Sequence, residues 1–358
     1  MNYFDRQQNF NQQLSKGRLN GFIVAHPPNL RYLCGYTGSN GLLLFFGDRP
    51  IFFTDGRYTQ QAREEVQGAR LVIAKGPLTE AACRAIAPKR PVRIGYEADH
   101  TTVVSAIQLR KAAQMKIAWK PISGMIMRQR LIKDAEELRL LHSAVNLGAA
   151  VYQEALASVA VGVRESEVAG RLEFAARRGG AEGMSFDTIV AGGKRSALPH
   201  GRASNQPLPR RGFVVIDSGV LLNGYCSDMT RTVHIGRPTR EERGWYDAVL
   251  EAQLAAIAAV KPGVNAGEVD LAARNVLRRA KLDRYFTHST GHGVGLEIHE
   301  PPRLGAGQEE PLQPGMVITI EPGVYLPDRG GIRIEDMVVV TDRGCNVITP
   351  LGKELIEI

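Results

Sequence analysis

Cysteine is scarce in this chain and never closely spaced: Cys34, Cys83, Cys226 and Cys345 stand far apart, with no C-x-x-C pair. That excludes a disulfide framework and a thiolate zinc site as organising devices, and the four are expected as buried or half-buried free thiols. Long apolar runs are missing as well. LLLFF at 42–46 is among the strongest, and it falls far short of the roughly 20 residues a bilayer span needs. The N-terminal MNYFDRQQNFNQQL has no basic stretch followed by an apolar core. A cytoplasmic protein with no membrane partner is the expectation. The net charge of +8 is spread along the chain, without a basic stripe or interleaved aromatics. This argues against nucleic acid as a partner and for a solvated basic surface. GYTGSNG at 35–41 is not followed by a lysine in P-loop spacing, so it reads as a glycine-rich turn.

What is present points to two domains. A chain of 358 residues exceeds the roughly 150 residues typical of one. Residues 1–120 alternate strand-like segments (GFIVAH, GLLLFF, PIFFTD, RLVIAK, VRIGYE) with helical spacing over 58–66, 79–87 and 101–114, which predicts an α/β domain. The pattern breaks at Pro121 and Gly124, within a boundary zone of 121–130, and the domains are set at 1–125 and 126–358. It resumes at Asp134, whose spacing to Glu137 is that of a helix capping box. Leu138, Leu141, Val145, Tyr152 and Leu156 then follow a 3.6-residue period, predicting a long amphipathic helix.

The second domain repeats itself. VAVGVRESEV at 159–168 aligns with VKPGVNAGEV at 260–269 at an offset of 101, and the same offset carries Arg177-Arg178 onto Arg278-Arg279. FVVIDSGV at 213–220 matches VITIEPGV at 317–324, placing Asp217 on Glu321. Two related halves are expected, each supplying a helix and then a β-hairpin with acids on its strands. In the first hairpin, Asn223-Gly224 is a two-residue turn signal. Pairing Leu222 with Tyr225 sets Asp217 opposite Thr230 and puts Asp228 diagonally across on the same face, about 7 Å away or less. In the second, a turn in PDRGG at 327–331 with an odd loop points Glu321 and Glu335 to one face, directly opposed if pairing centres on Asp328. Like charges so placed call for a shared cation.

HSTGHGVGLEIHE at 288–300 supplies histidines, though not in the HExxH spacing of a helical zinc site. Glycines on both sides of His292 favour close backbone approach, which makes it the chosen ligand. Asp217, Asp228, His292, Glu321 and Glu335 are donors enough for two divalent ions of the kind that sit roughly 3.5–4 Å apart. Oxygen-rich coordination with a single imidazole suits manganese, cobalt or iron at least as well as zinc, and the donor set leaves the metal open. His299 follows His200 by 99 residues, close to the repeat offset, so the two are expected to flank the metals and bind substrate. His288 is read as a supporting or turn residue. His26, His100, His142 and His234 have no partner pattern and are expected as surface or ordinary core residues.

The motifs VVIDSG, GYCSDMTRT, GHGVGLEIHE, TIEPGVY and GIRIEDMV give the chain a resemblance to the pita-bread metallopeptidases, and within them to the Xaa-Pro peptidases, aminopeptidase P and prolidase. It extends over essentially the whole chain. NLRYLCGYTGSNGLLL and FTDGRYTQQA look like the aminopeptidase P side and make the N-terminal domain creatinase-like. The resemblance implies a creatinase-like α/β domain followed by an α+β pita-bread catalytic domain with two pseudo-symmetric halves. It implies a dimanganese or dicobalt hydrolase that cuts after the first residue when proline follows. Asp217 would bind one metal bidentately, His292 and Glu321 the other, and Asp228 and Glu335 would bridge both.

Glu321 would be general base and later proton donor to the proline nitrogen. His200 and His299 would donate to the developing oxyanion and the downstream carbonyl. Arg333, two residues before Glu335, is a candidate to orient that carboxylate or to bind a substrate terminus. An Xaa-Pro aminopeptidase acting on peptides with proline second is the leading expectation, an Xaa-Pro dipeptidase the alternative, and a homodimer the expected assembly. A methionine aminopeptidase is disfavoured by the N-terminal domain. A metal-free binding protein on the same fold is disfavoured because no ligand position is lost.

Overall fold

Short β-branched and aromatic runs separated by helical segments build an α/β layer from the first third of the chain. In this computed structural model, which describes residues 1–86, 91–113 and 116–358, that layer belongs to one unit, Met1–Arg130, and Leu131–Ile358 form the other. The division lies a few residues beyond the expected 125/126.

The first unit holds β1 (Gly21–Val24), β2 (Leu42–Phe46), β3 (Ile51–Thr54), β4 (Arg70–Ile73), β5 (Val92–Glu97) and β6 (Ile117–Ile122), with α1 (Tyr3–Lys16), α2 (Pro27–Cys34), α3 (Thr59–Glu65), α4 (Leu78–Ala85), α5 (Val103–Ala112) and α6 (Met125–Arg130). Its sheet runs β4-β3-β2-β1-β5-β6, antiparallel across β1–β2–β3 and parallel elsewhere. All four residues of β1 are buried, as a central strand covered on both faces requires. Residues 87 and 114, at the ends of two expected helices, lie outside the described residues. The elements α1, α2, β6 and α6 were not expected. α1 is rich in Gln and Asn and buries only Phe10 and Leu14 among its apolar residues, too thin a stripe to read. β6 contains Pro121 but is an edge strand, where the missing N–H costs no ladder bond.

The second unit opens with α7 (Ala135–Leu156), started by a full Asp134–Glu137 capping box, and α8 (Glu165–Arg178). The first half continues through β7 (Gly183–Met184), β8 (Ile189–Gly192), β9 (Gly212–Ser218), β10 (Val220–Leu222), β11 (Tyr225–Cys226) and β12 (Met229–Ile235). The second half repeats the plan with α9 (Arg240–Ala259), α10 (Ala266–Arg279), β13 (Gly291–Gly293), β14 (Glu300–Leu304), β15 (Val317–Ile320), β16 (Gly323–Leu326), β17 (Gly330–Arg333), β18 (Asp336–Val340) and β19 (Cys345–Val347). α8 and α10 begin and end 101 residues apart, the offset seen in the sequence. Each half supplies two helices rather than one, because α7 and α9 precede the aligned segments.

The helices cover one side of the strands. Val249, Val269, Ala273 and Leu277 of α9 and α10 are fully buried against Ile318, Ile320 and Val338, each of the larger side chains contributing about 1.5–3 kcal/mol of transfer free energy. Val151, Tyr152, Val168 and Leu172 of α7 and α8 do the same against Val214 and Ile216. Glu137 joins layer to sheet: one oxygen accepts from the Asp134 N–H at 3.1 Å, the other from the Tyr225 hydroxyl at 2.9 Å. Asp134→Ala removes the reciprocal bond to the Glu137 N–H and is expected to lower stability by about 1 kcal/mol in urea unfolding followed by circular dichroism. An unchanged midpoint would show that the cap does not support α7.

Candidate active site

Two hairpins carry the acids, and their registers put them on one face. Asn223 and Gly224 adopt φ of 50° and 78°, the positive pair a two-residue turn needs. Leu222 pairs with Tyr225, and the same register runs on to set Thr230 opposite Asp217. Gly219 lies between them, where a Cβ would stand 1.9 Å from the Ser227 carbonyl oxygen, so only glycine permits this approach. In the second hairpin Leu326 pairs with Gly330 and Gly323 with Arg333, centred on Asp328 with φ 61°. Ile320 paired with Asp336 continues that register, and Glu321 therefore stands opposite Glu335.

The halves meet through Thr230. Its carbonyl accepts from the Glu335 N–H at 3.1 Å, and its hydroxyl donates to Glu335 Oε2 at 2.7 Å. Arg333 and Thr232 exchange a similar pair of bonds at 3.0 and 2.9 Å. Strand β12 of the first half thus lies beside residues 333–335 of the second.

His292 faces these acids from β13. Its Nδ1 lies 2.9 Å from the Gly293 carbonyl, so Nδ1 carries the proton and Nε2 presents a lone pair. That lone pair sits 3.5 Å from both Asp228 Oδ2 and Glu321 Oε1. Burial holds the imidazole at about 4, so it is neutral near pH 7 and offers these carboxylates no proton. Ligand atoms of Asp228, His292 and Glu335 lie within 4.8 Å of one another. Burial, then the neighbouring Asp217 and Glu321, raises the Asp228 carboxyl well above its ordinary range. Burial, then Asp228 and Glu321, does the same to Glu335. Burial chiefly pushes Glu321 up to about 8, against the opposing pull of Arg333. One oxygen of Asp217 is buried without a hydrogen-bond partner among the described residues. Four carboxylates and an imidazole lone pair converge with only one cationic side chain, Arg333, bonded to them, which is the donor set of a divalent cation, and the residues fit it.

The glycines around His292 serve the neighbouring strands. A Cβ at Gly291 would lie 2.0 Å from the Thr319 carbonyl oxygen and one at Gly293 2.1 Å from that of Pro301. The close approach expected toward the site contents is instead toward backbone on either side.

Arg333 is 3% exposed and holds Asp217 rather than Glu335. Nη2 donates to Asp217 Oδ2 at 2.6 Å, Nε to the Thr230 hydroxyl at 3.0 Å, and Nη1 to the Tyr325 hydroxyl at 2.7 Å and the Pro199 carbonyl at 3.2 Å. With four bonds made, it is engaged by protein rather than free for a substrate terminus. Tyr325 accepts from Arg333 and donates to His288 Nε2 at 2.8 Å. His288 is thereby tied to the site through Tyr325. Burial holds its imidazole at about 4.

A cavity of about 900 Å³ opens over the acids. His200 and His299 line it and are exposed, and the His299 ring meets that of His292 edge-on at 4.5 Å. Phe186, Ile189 and Ile298 give it an apolar wall. Arg303, which the sequence reading passed over, also lines it. It pairs across the strands with His292, so the two project to one face. Its guanidinium makes no ion pair or hydrogen bond among the described residues. Tyr325 was missed too, although period-2 alternation from Glu321 along its strand points there. His26 and His100 stack on each other with ring centroids 3.5 Å apart, His142 is exposed, and His234 is a buried core residue. Three cysteines are buried and Cys345 is half-buried, all as free thiols.

The sequence matches the family models for the creatinase/prolidase N-terminal domain over residues 6–132 and for metallopeptidase family M24 over residues 139–342. It is 37% identical over 344 residues to a protein of Pyrococcus furiosus named Xaa-Pro dipeptidase, covering 96% of this chain and 97% of that one. Among solved structures, the Xaa-Pro dipeptidase from Bacillus anthracis superposes with a TM-score of 0.96 at 37% identity, over 100% of both chains. The X-Pro aminopeptidase from Thermotoga maritima gives 0.91 at 32% identity, over 98% of this chain and 100% of that one. With hairpin acids from two pseudo-symmetric halves facing one histidine, and these matches running the length of the chain, the protein is a hydrolase of metallopeptidase family M24, carrying a creatinase-type N-terminal domain.

Proposed function

We propose that the protein is an Xaa-Pro dipeptidase, hydrolysing the bond between an N-terminal residue and a C-terminal proline. This reverses the order expected from sequence, where the aminopeptidase came first. Relatives named Xaa-Pro dipeptidase support it. The observation that carries it is Arg303, an uncommitted cation on the cavity wall directly across the strands from His292. A dipeptide ends one residue after the scissile bond, so its carboxylate needs a cation close to the reacting centre, and a guanidinium binds carboxylate through two parallel donors.

Asp217, Asp228, His292, Glu321 and Glu335 would hold two divalent ions, manganese being favoured by the oxygen-rich set. Such ions, when bound, acidify water and polarise a carbonyl. The residues of the chain supply the rest. Glu321, whose side chain stays 17% exposed toward the cavity, takes a proton from the attacking water on its carboxylate. It returns that proton to the prolyl nitrogen as the C–N bond breaks. His200 and His299 face the same cavity and donate to the oxygen on which charge develops. A bond to proline has no N–H, so recognition rests on the ring, against Phe186, Ile189 and Ile298, and on the carboxylate at Arg303.

Ala-Pro is expected to be cleaved and Ala-Pro-Ala not, and Arg303→Ala to raise KM for Ala-Pro roughly 10- to 100-fold. Release of alanine from the tripeptide at a comparable rate would make the aminopeptidase reading correct. Asp228→Asn and His292→Ala are each expected to lower bound metal and activity together, read by elemental analysis beside turnover. A metal-replete, active variant would remove that residue from the ligand set.

The chelator-stripped protein is expected to be pH-sensitive. The folded Glu321 carboxyl sits at about 8, above its unfolded value of about 4.3. Its contribution to stability is therefore fully present below the unfolded value and is lost as pH rises through the folded one; Asp228 and Glu335 shift in the same direction. Thermal unfolding of the stripped protein should occur at lower temperature at about pH 8 than at about pH 5, and added Mn(II) should raise it more at the higher pH. A pH-independent Tm would contradict the crowding of these acids.

A further inference from the structure

The imidazole of His200 is exposed and makes no hydrogen bond or ion pair among the described residues. With no polar contact of its own among the described residues, its ring is placed by the backbone that carries it. That backbone belongs to loop 193–207, which leaves β8 and returns toward β9. One buried side chain holds both ends of it. Glu165, in the first turn of α8 and 0% exposed, accepts from the Gly192 N–H at 2.9 Å at one end. At the other end it accepts from the Ser204 N–H at 3.1 Å and the Ser204 hydroxyl at 2.6 Å. Between them, Arg195 Nε donates to both carboxylate oxygens at 3.1 and 3.0 Å, and its Nη2 donates to the Arg202 carbonyl at 2.8 Å. The Arg202 N–H in turn donates to the His200 carbonyl at 2.9 Å.

We infer that Glu165 is a positioning residue for the reaction: together with Arg195 it staples the loop and sets the place of His200 in the cavity. The inference rests on the role given to His200 above. A carboxylate at the start of a helix is also where the helix field favours negative charge. The loop is also held elsewhere: Ser196 Oγ accepts from the Gly331 N–H at 2.8 Å, the Pro199 carbonyl accepts from Arg333, Arg202 pairs with Asp187 and bridges to Ile189, and the Ser204 and Gln206 carbonyls accept from the Ser166 and Glu165 N–H groups. Among these, Glu165 is the buried side chain that contacts Gly192, Arg195 and Ser204 together. Displacement of a substrate-facing group by about 1 Å can reduce turnover by roughly a hundredfold, so a residue outside the cavity can matter as much as one inside it.

The test is a double-mutant cycle on the full-length, divalent-metal-loaded enzyme with Ala-Pro as substrate, using Glu165→Gln, His200→Ala and the pair. Glu165→Gln is expected to lower kcat/KM roughly tenfold or more in the parent and less than about twofold when His200 is already alanine, with bound metal per chain unchanged. Equal losses in both backgrounds, a loss of bound metal, or no loss at all would overturn the inference. Should Glu165→Gln fail to fold, Ser204→Ala replaces it, removing one donor while leaving the carboxylate paired with Arg195. Its smaller loss must likewise vanish in the His200→Ala background, and persistence there overturns the inference. A fully active His200→Ala enzyme would instead refute the role of His200 itself, an outcome read without any Glu165 variant.

Discussion

Four carboxylates and one imidazole lone pair converge in the second unit with a single guanidinium, Arg333, buried among them, and much of the surrounding structure is explained by that excess of negative charge. Unpaired carboxylates are costly to bury. The fold accommodates them by making their positions the consequence of strand register rather than of flexible side chains. Asp217 and Asp228 are placed by a hairpin that keeps one register from its Asn-Gly turn to Thr230 across an interruption at Gly219, Glu321 and Glu335 by one centred on Asp328. A one-residue slip in either would turn its acids to the opposite face. Thr230, Thr232 and Arg333 then lock one hairpin to the other.

Behind the site a second buried cluster keeps that frame from relaxing. Arg231 donates to the Thr230 and Glu335 carbonyls, to Asp336 and to the carbonyls of Leu351 and Gly352. Asp336 also accepts from Gln253 at 2.8 Å and pairs with Lys353. In this cluster one carboxylate is met by two cations, whereas in the site four carboxylates share one, which is the physical difference between a structural ion network and a cation-binding one. The two halves also use helix acids in parallel ways. Glu165 on α8 pins the loop that leads to His200, and Asp270 on α10 accepts from the Thr290 N–H and hydroxyl just before His292. The equivalence is functional rather than positional, because the aligned partner of Glu165 is Ala266.

Local chemistry made much of this legible in the sequence. The Asn-Gly turn, the odd-length PDRGG turn and the repeat offset depend on neighbours a few residues apart or on direct self-comparison, and all of them carry over to the structure. So does the Asp134 cap. The features that escaped depend on contacts between distant segments. Arg333 stands two residues before Glu335, yet its partner is Asp217, 116 residues away. The glycines at 291 and 293 were rightly expected to mark a close approach, but what approaches is the backbone of flanking strands. α1 and α2 carry little periodicity because α1 buries polar Arg6 and Gln7 through bonds to the Tyr32 and Leu33 carbonyls.

Arg303 shows why substrate length was the hardest property to read. The residues that could hold metal are common to any enzyme that uses this centre, so motifs built from them do not separate a dipeptidase from an aminopeptidase. What separates the two is whether a cation waits for a carboxylate one residue beyond the scissile bond. Arg303 lies in EPPRL, a strand with no site motif, and is brought across from His292 only by the β13–β14 pairing, with a register shift between His292 and Gly293. His292 and Arg303 share the register of Gly291 and Leu304, and the shift falls beyond them, where Gly293 pairs with Glu300. The specificity proposed for this chain therefore resides in one strand register, adjacent to the proposed metal centre and independent of it.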